Sequence, residues 1–167
     1  MTVKEKPVRA RDLGLDFPGR PGLLNAITDV TGVAVGLSTI VEDRPRPGRE
    51  RLVRTGVTAI LPRPPGAEPR PVWAGVHRFN GNGEMTGTHW IEDGGHFLGP
   101  VLITNTHAVG IAHHAAVKWM LRTYPEIYEA GEHHLWLMPV VAETYDGVLN
   151  DINGQPVGEE DVLAALA

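Results

Sequence analysis

Apolar residues in this chain come in short runs, separated by polar, glycine-rich or proline-rich stretches, a rhythm of strands, loops and a few helices. Val30 to Ile40, punctuated by Gly32 and Gly36, predicts a strand pair or a bulged strand. Val57 to Leu61 predicts a short buried strand, and Pro62 to Pro71 a stiff surface excursion. Val72 to Val76 then reads as a strand that leads straight into a glycine-rich loop. Two further buried strands are expected at Val101 to His107 and Leu135 to Val141, both ending in polar residues. One long helix is predicted from about Ala108 to Tyr124, stopped by Pro125. Ile111, Ala115, Lys118 and Arg122 fall along one stripe of it, and Ala112, Ala116, Trp119 and Met120 near another. Thr106 or Asn105 is placed to cap its first turn, and for Asn105 capping is favoured over orienting a neighbour. A helical turn over Pro125 to Ala130, ended by Gly131, follows.

The last ten residues, Gly158 to Ala167, start like a helix with Glu159, Glu160 and Asp161 in the first turn. Val162, Leu163 and Leu166 begin an apolar face, yet no Gly, Asn, Pro or basic residue ends it. That pattern predicts a piece of a longer polypeptide. Periodicity alone limits the fold to α/β or α+β, in one domain spanning 1–167 with no internal repeat.

The chemistry concentrates in Phe79-Asn80-Gly81-Asn82-Gly83-Glu84-Met85-Thr86-Gly87-Thr88-His89-Trp90. Gly81, Gly83 and Gly87 are expected to allow positive φ or close approach, letting backbone amides face a ligand. Glu84 offers a carboxylate to a cation, and Trp90 a wall for an apolar pocket. The bland reading is a polar surface loop with one hydrophobic anchor. A second polar cluster, Glu143-Thr144-Tyr145-Asp146-Gly147-Val148-Leu149-Asn150-Asp151-Ile152-Asn153-Gly154, follows the apolar run before it. With Asn105 between them, three clusters predict one site assembled from strand ends.

Six segments in order resemble the N-terminal part of the DmpA-like L-aminopeptidase/D-esterase and β-peptidyl aminopeptidase family. They are Arg9 to Gly14, Pro21 to Val30, Arg54 to Pro62, Asn80 to Trp90, Ile103 to His107, and Ala142 to Gly154. The resemblance implies a layered α/β/β/α sandwich of the DmpA/ornithine-acetyltransferase type, here incomplete. It implies an autoproteolytic serine aminopeptidase whose precursor cleaves itself, the new N-terminal Ser of the downstream piece becoming the nucleophile. Substrates would be short peptides or aminoacyl amides and esters, with no cofactor. The related acyltransferase of arginine biosynthesis shares the layered fold, but the Asn80 to Trp90 loop speaks for the peptidase branch.

The chain departs from that pattern in one respect. Ser38 is its only serine, there is no cysteine, and no Gly-Ser or Gly-Thr junction lies near Ala167. The nucleophile is therefore expected outside this chain, on a missing C-terminal β-subunit. The resemblance also implies a homo-oligomer of the processed heterodimer.

Within such an enzyme Glu84 would bind the substrate α-ammonium, since an aminopeptidase must distinguish a free N-terminus from an internal peptide. Its bland counterpart is a carboxylate bracing backbone amides of the loop. Asn150 is the candidate oxyanion donor, a role worth about 3 kcal/mol where a side-chain amide meets developing charge; otherwise it is an ordinary turn residue. Asn80, Asn82 and Tyr145 are further candidates for contact with substrate. Trp90 and Trp136 are each weighed as substrate walls against core aromatics, with core favoured.

Composition narrows the alternatives. A net charge of −5 gives no reason to expect nucleic acid, and Arg44, Arg46, Arg49, Arg51 and Arg54 read as a solvated loop or subunit contact. No apolar run approaches the roughly 20 residues of a membrane helix, and no secretory signal follows Met1, so cytoplasm is the default expectation. His89, His96, His107, His113-His114 and His133-His134 raise a metal-dependent amidohydrolase, but none of them sits in a metal-ligand spacing, so no metal is expected. A stand-alone binding module that keeps the pocket and catalyses nothing stays open as the other alternative.

Overall fold

A computed structural model describes residues 8–43, 47, 51–125 and 136–167. A four-stranded sheet organises them: β1 (Ala34–Glu42), β2 (Val53–Leu61), β5 (Val101–Asn105) and β6 (Val140–Thr144), in that spatial order. β1, β2 and β5 are antiparallel neighbours, whereas β5 and β6 run parallel with Val101 opposite Val140 and Asn105 opposite Thr144. A small hairpin-like pair, β3 (Val72–Trp73) and β4 (His96–Phe97), flanks helix α1 (Thr88–Gly94).

The crossover that makes β5 and β6 parallel carries α2 (Val109–Thr123), as a parallel pair demands. A 3-10 turn over Thr106–Ala108 precedes it, and Asn105 caps that turn by accepting from the backbone N–H of His107 and Ala108. Ala112, Ala115 and Ala116 of α2 are fully buried against the sheet. With no long side chain between them, helix and sheet approach closely. Val162, Ala165 and Leu166 of α3 (Glu159–Leu166) join the same core as Val57, Ala59, Leu102 and Val141. Lys118 of α2 ties the two helices through Glu159, at 2.7 Å. The ammonium beside it holds the Glu159 carboxyl below the ordinary carboxylate range.

Helices thus cover one face of the sheet. On the other face, a second cluster of Ile91, Phe97 and Val140 covers the β5–β6 side, while Val35, Leu37 and Val41 of β1 stand exposed. Among the described residues this is one helical layer on one main sheet, which matches one α/β half of the expected α/β/β/α sandwich.

Several sequence-based boundaries move. β1 is one straight strand from Ala34 rather than a pair or bulge over Val30 to Ile40. β2 starts four residues earlier than Val57 because Val53 is drawn fully into the core. β3 stops at Trp73, before the expected Val76. The run from Leu135 becomes a strand only at Val140, and Trp136, expected in the core, is 74% exposed. The long helix begins at Val109 and ends at Thr123. The helical turn expected over Pro125 to Ala130 falls outside the described residues after Pro125, as do Arg44, Arg46, Arg49, His133 and His134. No helix among the described residues is long and apolar enough to cross a membrane.

Candidate functional site

β5 and β6 end side by side, and both ends carry polar side chains. Thr106 follows β5 and Glu143 sits near the end of β6; the Thr106 hydroxyl donates to Glu143 Oε2. In open sheets with parallel strands, ligands bind at such carboxyl ends. Here the free edge of β6 is closed by the glycine-rich loop itself. Met85 pairs with Ala142, Thr86 N donates to Val141 O at 3.0 Å, and Glu143 N donates to Glu84 O at 3.0 Å. The Thr86 hydroxyl donates to Pro139 O at 2.7 Å and accepts from Val141 N at 2.9 Å. The loop is therefore pinned by its backbone to a core strand.

That pinning opens a cleft of about 590 Å³ lined by Val76 to Met85, Thr88, His89, Ala142 and Glu143. Glu84 sits in its wall with an exposed carboxylate. Among the described residues nothing bonds that carboxylate; only the backbone of Glu84 serves the fold. A carboxylate that braces its own loop would show partners, and this one shows none among the described residues. Glu143, half-buried in the same wall, is a second carboxylate that sequence reasoning placed in a polar cluster without assigning it a role. Two carboxylates in one cleft attract a ligand ammonium by charge-assisted hydrogen bonding.

The glycines divide by function. Gly87, at φ 76°, adopts the left-handed conformation immediately before α1 and lets the chain turn into that helix. Gly83 has no positive φ, but a Cβ there would overlap Glu143 Oε1. Gly81 has neither constraint. The expectation of positive φ therefore holds at Gly87 alone of the three. Asn80 accepts from Asn82 N at 2.9 Å, an Asx-type turn that shapes the cleft rim. Arg78 donates to Glu92 at 2.9 Å and tethers the rim to α1.

Of the residues expected in contact with substrate, Glu84, Asn80 and Asn82 line this cleft, and Trp90, Tyr145 and Asn150 do not. The stretch read as a loop through Trp90 turns helical at Thr88, which carries the Trp90 ring away towards His96 and Trp136, centroids 5.4 and 6.3 Å distant. Tyr145 is 69% exposed, its phenol lying over Gly147. Asn150 is 1% exposed at the same end of the sheet, on the β2 side. Its carbonyl accepts from Arg54 N at 3.1 Å and its amide donates to Asp146 at 3.0 Å. Ser38 lies on the helix-covered side of β1, its hydroxyl 3.4 Å from Asp161. No group of three or more His, Asp or Glu among the described residues is arranged to hold a metal ion.

The model of peptidase family S58 matches residues 25–167. The chain is 51% identical over 160 residues to a beta-peptidyl aminopeptidase, BapA, of Sphingosinicella microcystinivorans, and 45% identical over 159 residues to BapA of Sphingosinicella xenopeptidilytica. Each alignment takes in 95% of this chain and 38% of the relative, so the chain spans well under half their length. Among solved structures, the L-aminopeptidase D-Ala-esterase/amidase of Ochrobactrum anthropi, described as a variant of the Ntn-hydrolase fold, superposes with a TM-score of 0.89 at 68% identity. That superposition covers 95% of this chain and 43% of the enzyme. A beta-aminopeptidase of Burkholderia sp. superposes at 0.79 with 45% identity, over 95% of this chain and 42% of its own.

Proposed function

This chain belongs to peptidase family S58, and from that premise we propose that it is the α-subunit portion of an autoproteolytic N-terminal-serine aminopeptidase. It supplies the recognition of the substrate amine, and a C-terminal β-subunit supplies the nucleophile. Substrates are short peptides or aminoacyl amides and esters with a free N-terminus. The observation that carries the reading is the cleft at the ends of β5 and β6, where Glu84 and Glu143 share one wall.

The chemistry follows from charge and geometry. An ammonium entering the cleft meets two carboxylates, whereas an acylated or internal nitrogen brings no charge to repay their desolvation. Selection for an N-terminus therefore arises as a difference between ligands. A serine at the start of a neighbouring chain would carry its own base, its α-amino group, and attack the carbonyl beside the bound ammonium. The tetrahedral oxyanion then needs a donor. Asn150, buried at the same end of the sheet on the β2 side and outside the cleft itself, is proposed for that role: its amide donates one N–H to Asp146 and has a second to offer. Burial of Asn150 keeps the amide fixed in direction, which favours preorganised stabilisation. Asn80 and Asn82 form the rim, and Trp90 and Tyr145 would meet the more distant parts of a substrate. No metal or organic cofactor is invoked.

The test is the intact mass of the product expressed from the native gene, with denaturing electrophoresis. Two chains are expected, the second beginning with Ser or Thr. A single species that ends at Ala167 would sink the assignment and favour a binding module.

A further inference from the structure

The Glu143 carboxylate is held on one side and given room on the other. On one side the Thr106 hydroxyl donates to Oε2. On the other, Oε1 lies where a side chain on Gly83 would put its first carbon. Neither partner comes from the strand that carries Glu143. Thr106 belongs to the turn after β5, and Gly83 to the loop that closes the free edge of β6.

Each partner is itself held. Asn105, buried and capping the turn, accepts from the backbone N–H groups of His107 and Ala108 at 3.1 Å and donates to Thr55 at 3.0 Å. Thr106 therefore sits on a turn with little freedom to move. Gly83 is next to Glu84, whose carbonyl receives the backbone N–H of Glu143. A glutamate side chain has several rotatable bonds, and left alone it would sample many directions at an entropic cost to any ligand that needs one of them. A hydroxyl donor fixes one oxygen without adding a charge that would compete with a ligand ammonium.

We propose that Thr106 is a positioning residue: its hydroxyl, with the bare α-carbon of Gly83 opposite, holds the Glu143 carboxylate in the orientation that meets a ligand ammonium, and so sets the preference for free over blocked amines. The proposal rests on reading the cleft as an amine site. It also gives Gly83 a reason distinct from backbone conformation, since a side chain there would push the carboxylate out of this position.

Calorimetric titration of the polypeptide expressed from its native gene tests this, with L-alaninol as the free-amine probe and N-acetyl-L-alaninol as the blocked one. L-Alaninol has no acyl bond, and the only one in N-acetyl-L-alaninol is the blocking amide itself, so neither offers a carbonyl next to a free amine to be hydrolysed. Thr106→Val should weaken alaninol about tenfold, the scale of a lost hydrogen bond to a charged group, and leave the acetylated probe unchanged. Thr106→Ser restores the hydroxyl and should stay within about twofold of the parent, because the donor and not the methyl is what matters. Gly83→Ala should follow Thr106→Val.

Glu143→Gln separates the two levels of the argument. If it loses alaninol binding while Thr106→Val binds like the parent, the amine site stands and the positioning role falls. If Glu143→Gln binds both probes like the parent, the amine-site reading of Glu143 falls and takes the positioning role with it. Equal losses for both probes in Thr106→Val, not rescued by Ser, would mark Thr106 as merely structural and also overturn the proposal.

Discussion

Glu84 and Glu143 are adjacent in space through a backbone hydrogen bond yet differ in what their side chains do. Glu143 is bonded and half-buried; Glu84 is exposed, with no bond to its carboxylate among the described residues. That contrast makes a residue-scale prediction. Glu84→Gln removes a charge that the fold does not use, so stability should change by no more than about 0.5 kcal/mol. Binding of free-amine ligands to the native gene product should still weaken, by about three- to tenfold, as one of two charged partners is lost. Thermal unfolding together with titration of free and blocked amines measures both. An unchanged preference for free over blocked amines would remove Glu84 from the site. At this scale the sequence was partly legible. Glu84 stood out because a carboxylate amid glycines suits no core. Glu143 did not, since its contacts with Thr106 and Gly83 span 37 and 60 residues and depend on the register Met85 to Ala142. Asn105 as a cap was readable because capping is local, an Asn directly before a helical pattern.

Elements were legible where their cause is local or periodic, and shifted where tertiary pairing decides. α2 and α3 appear within a residue or two of their expected limits, set by spacing, Pro125 and the acidic first turn. α1 was hidden, because Gly87 and the polar residues before it look like continued loop until the chain is seen to turn at positive φ. β6 starts late because its pairing with β5 begins only at Val140 opposite Val101, a pairing that no apolar run can announce. A prediction at this scale concerns the packing of α3 on β1. Gly36 faces the helix, and a Cβ on it would overlap the carbonyl oxygen of Ala165. Gly36→Ala therefore has no room on the helix side, and the strand or helix must shift, at a cost of about 1–3 kcal/mol. Denaturant unfolding should show a lower midpoint with an unchanged slope. A stability equal to that of the parent would mean that α3 moves freely against the sheet, contrary to its part in the buried core.

The whole molecule presents two unequal faces. Helices bury one side of the main sheet, while on the other Leu37 is 68% exposed and the chain spans 38% of the length of its curated relatives. A fold of this layered class reaches completion by covering such a face. Where the catalyst sits follows from the same geometry. Ser38 is the only serine in the sequence, and its hydroxyl points to Asp161 beneath α3, away from the cleft that holds Glu84 and Glu143. A serine needs a base within about 3 Å and a path to the substrate carbonyl. Ser38 has a carboxylate at 3.4 Å, but it stands on β1, at the opposite edge of the sheet from β6 and the cleft beside it, so it lacks a path to a ligand bound there. The 167-residue chain on its own should accordingly show no turnover of aminoacyl p-nitroanilides, and Ser38→Ala should change nothing in that assay. The native gene product, if it carries the N-terminal serine on a second chain, should hydrolyse the same substrates with Ser38→Ala as active as the parent to within about twofold, since the substitution only trims a buried-side hydroxyl. Clear turnover by the 167 residues alone, abolished by Ser38→Ala, would relocate the nucleophile to β1 and overturn the division of labour between recognition here and catalysis elsewhere.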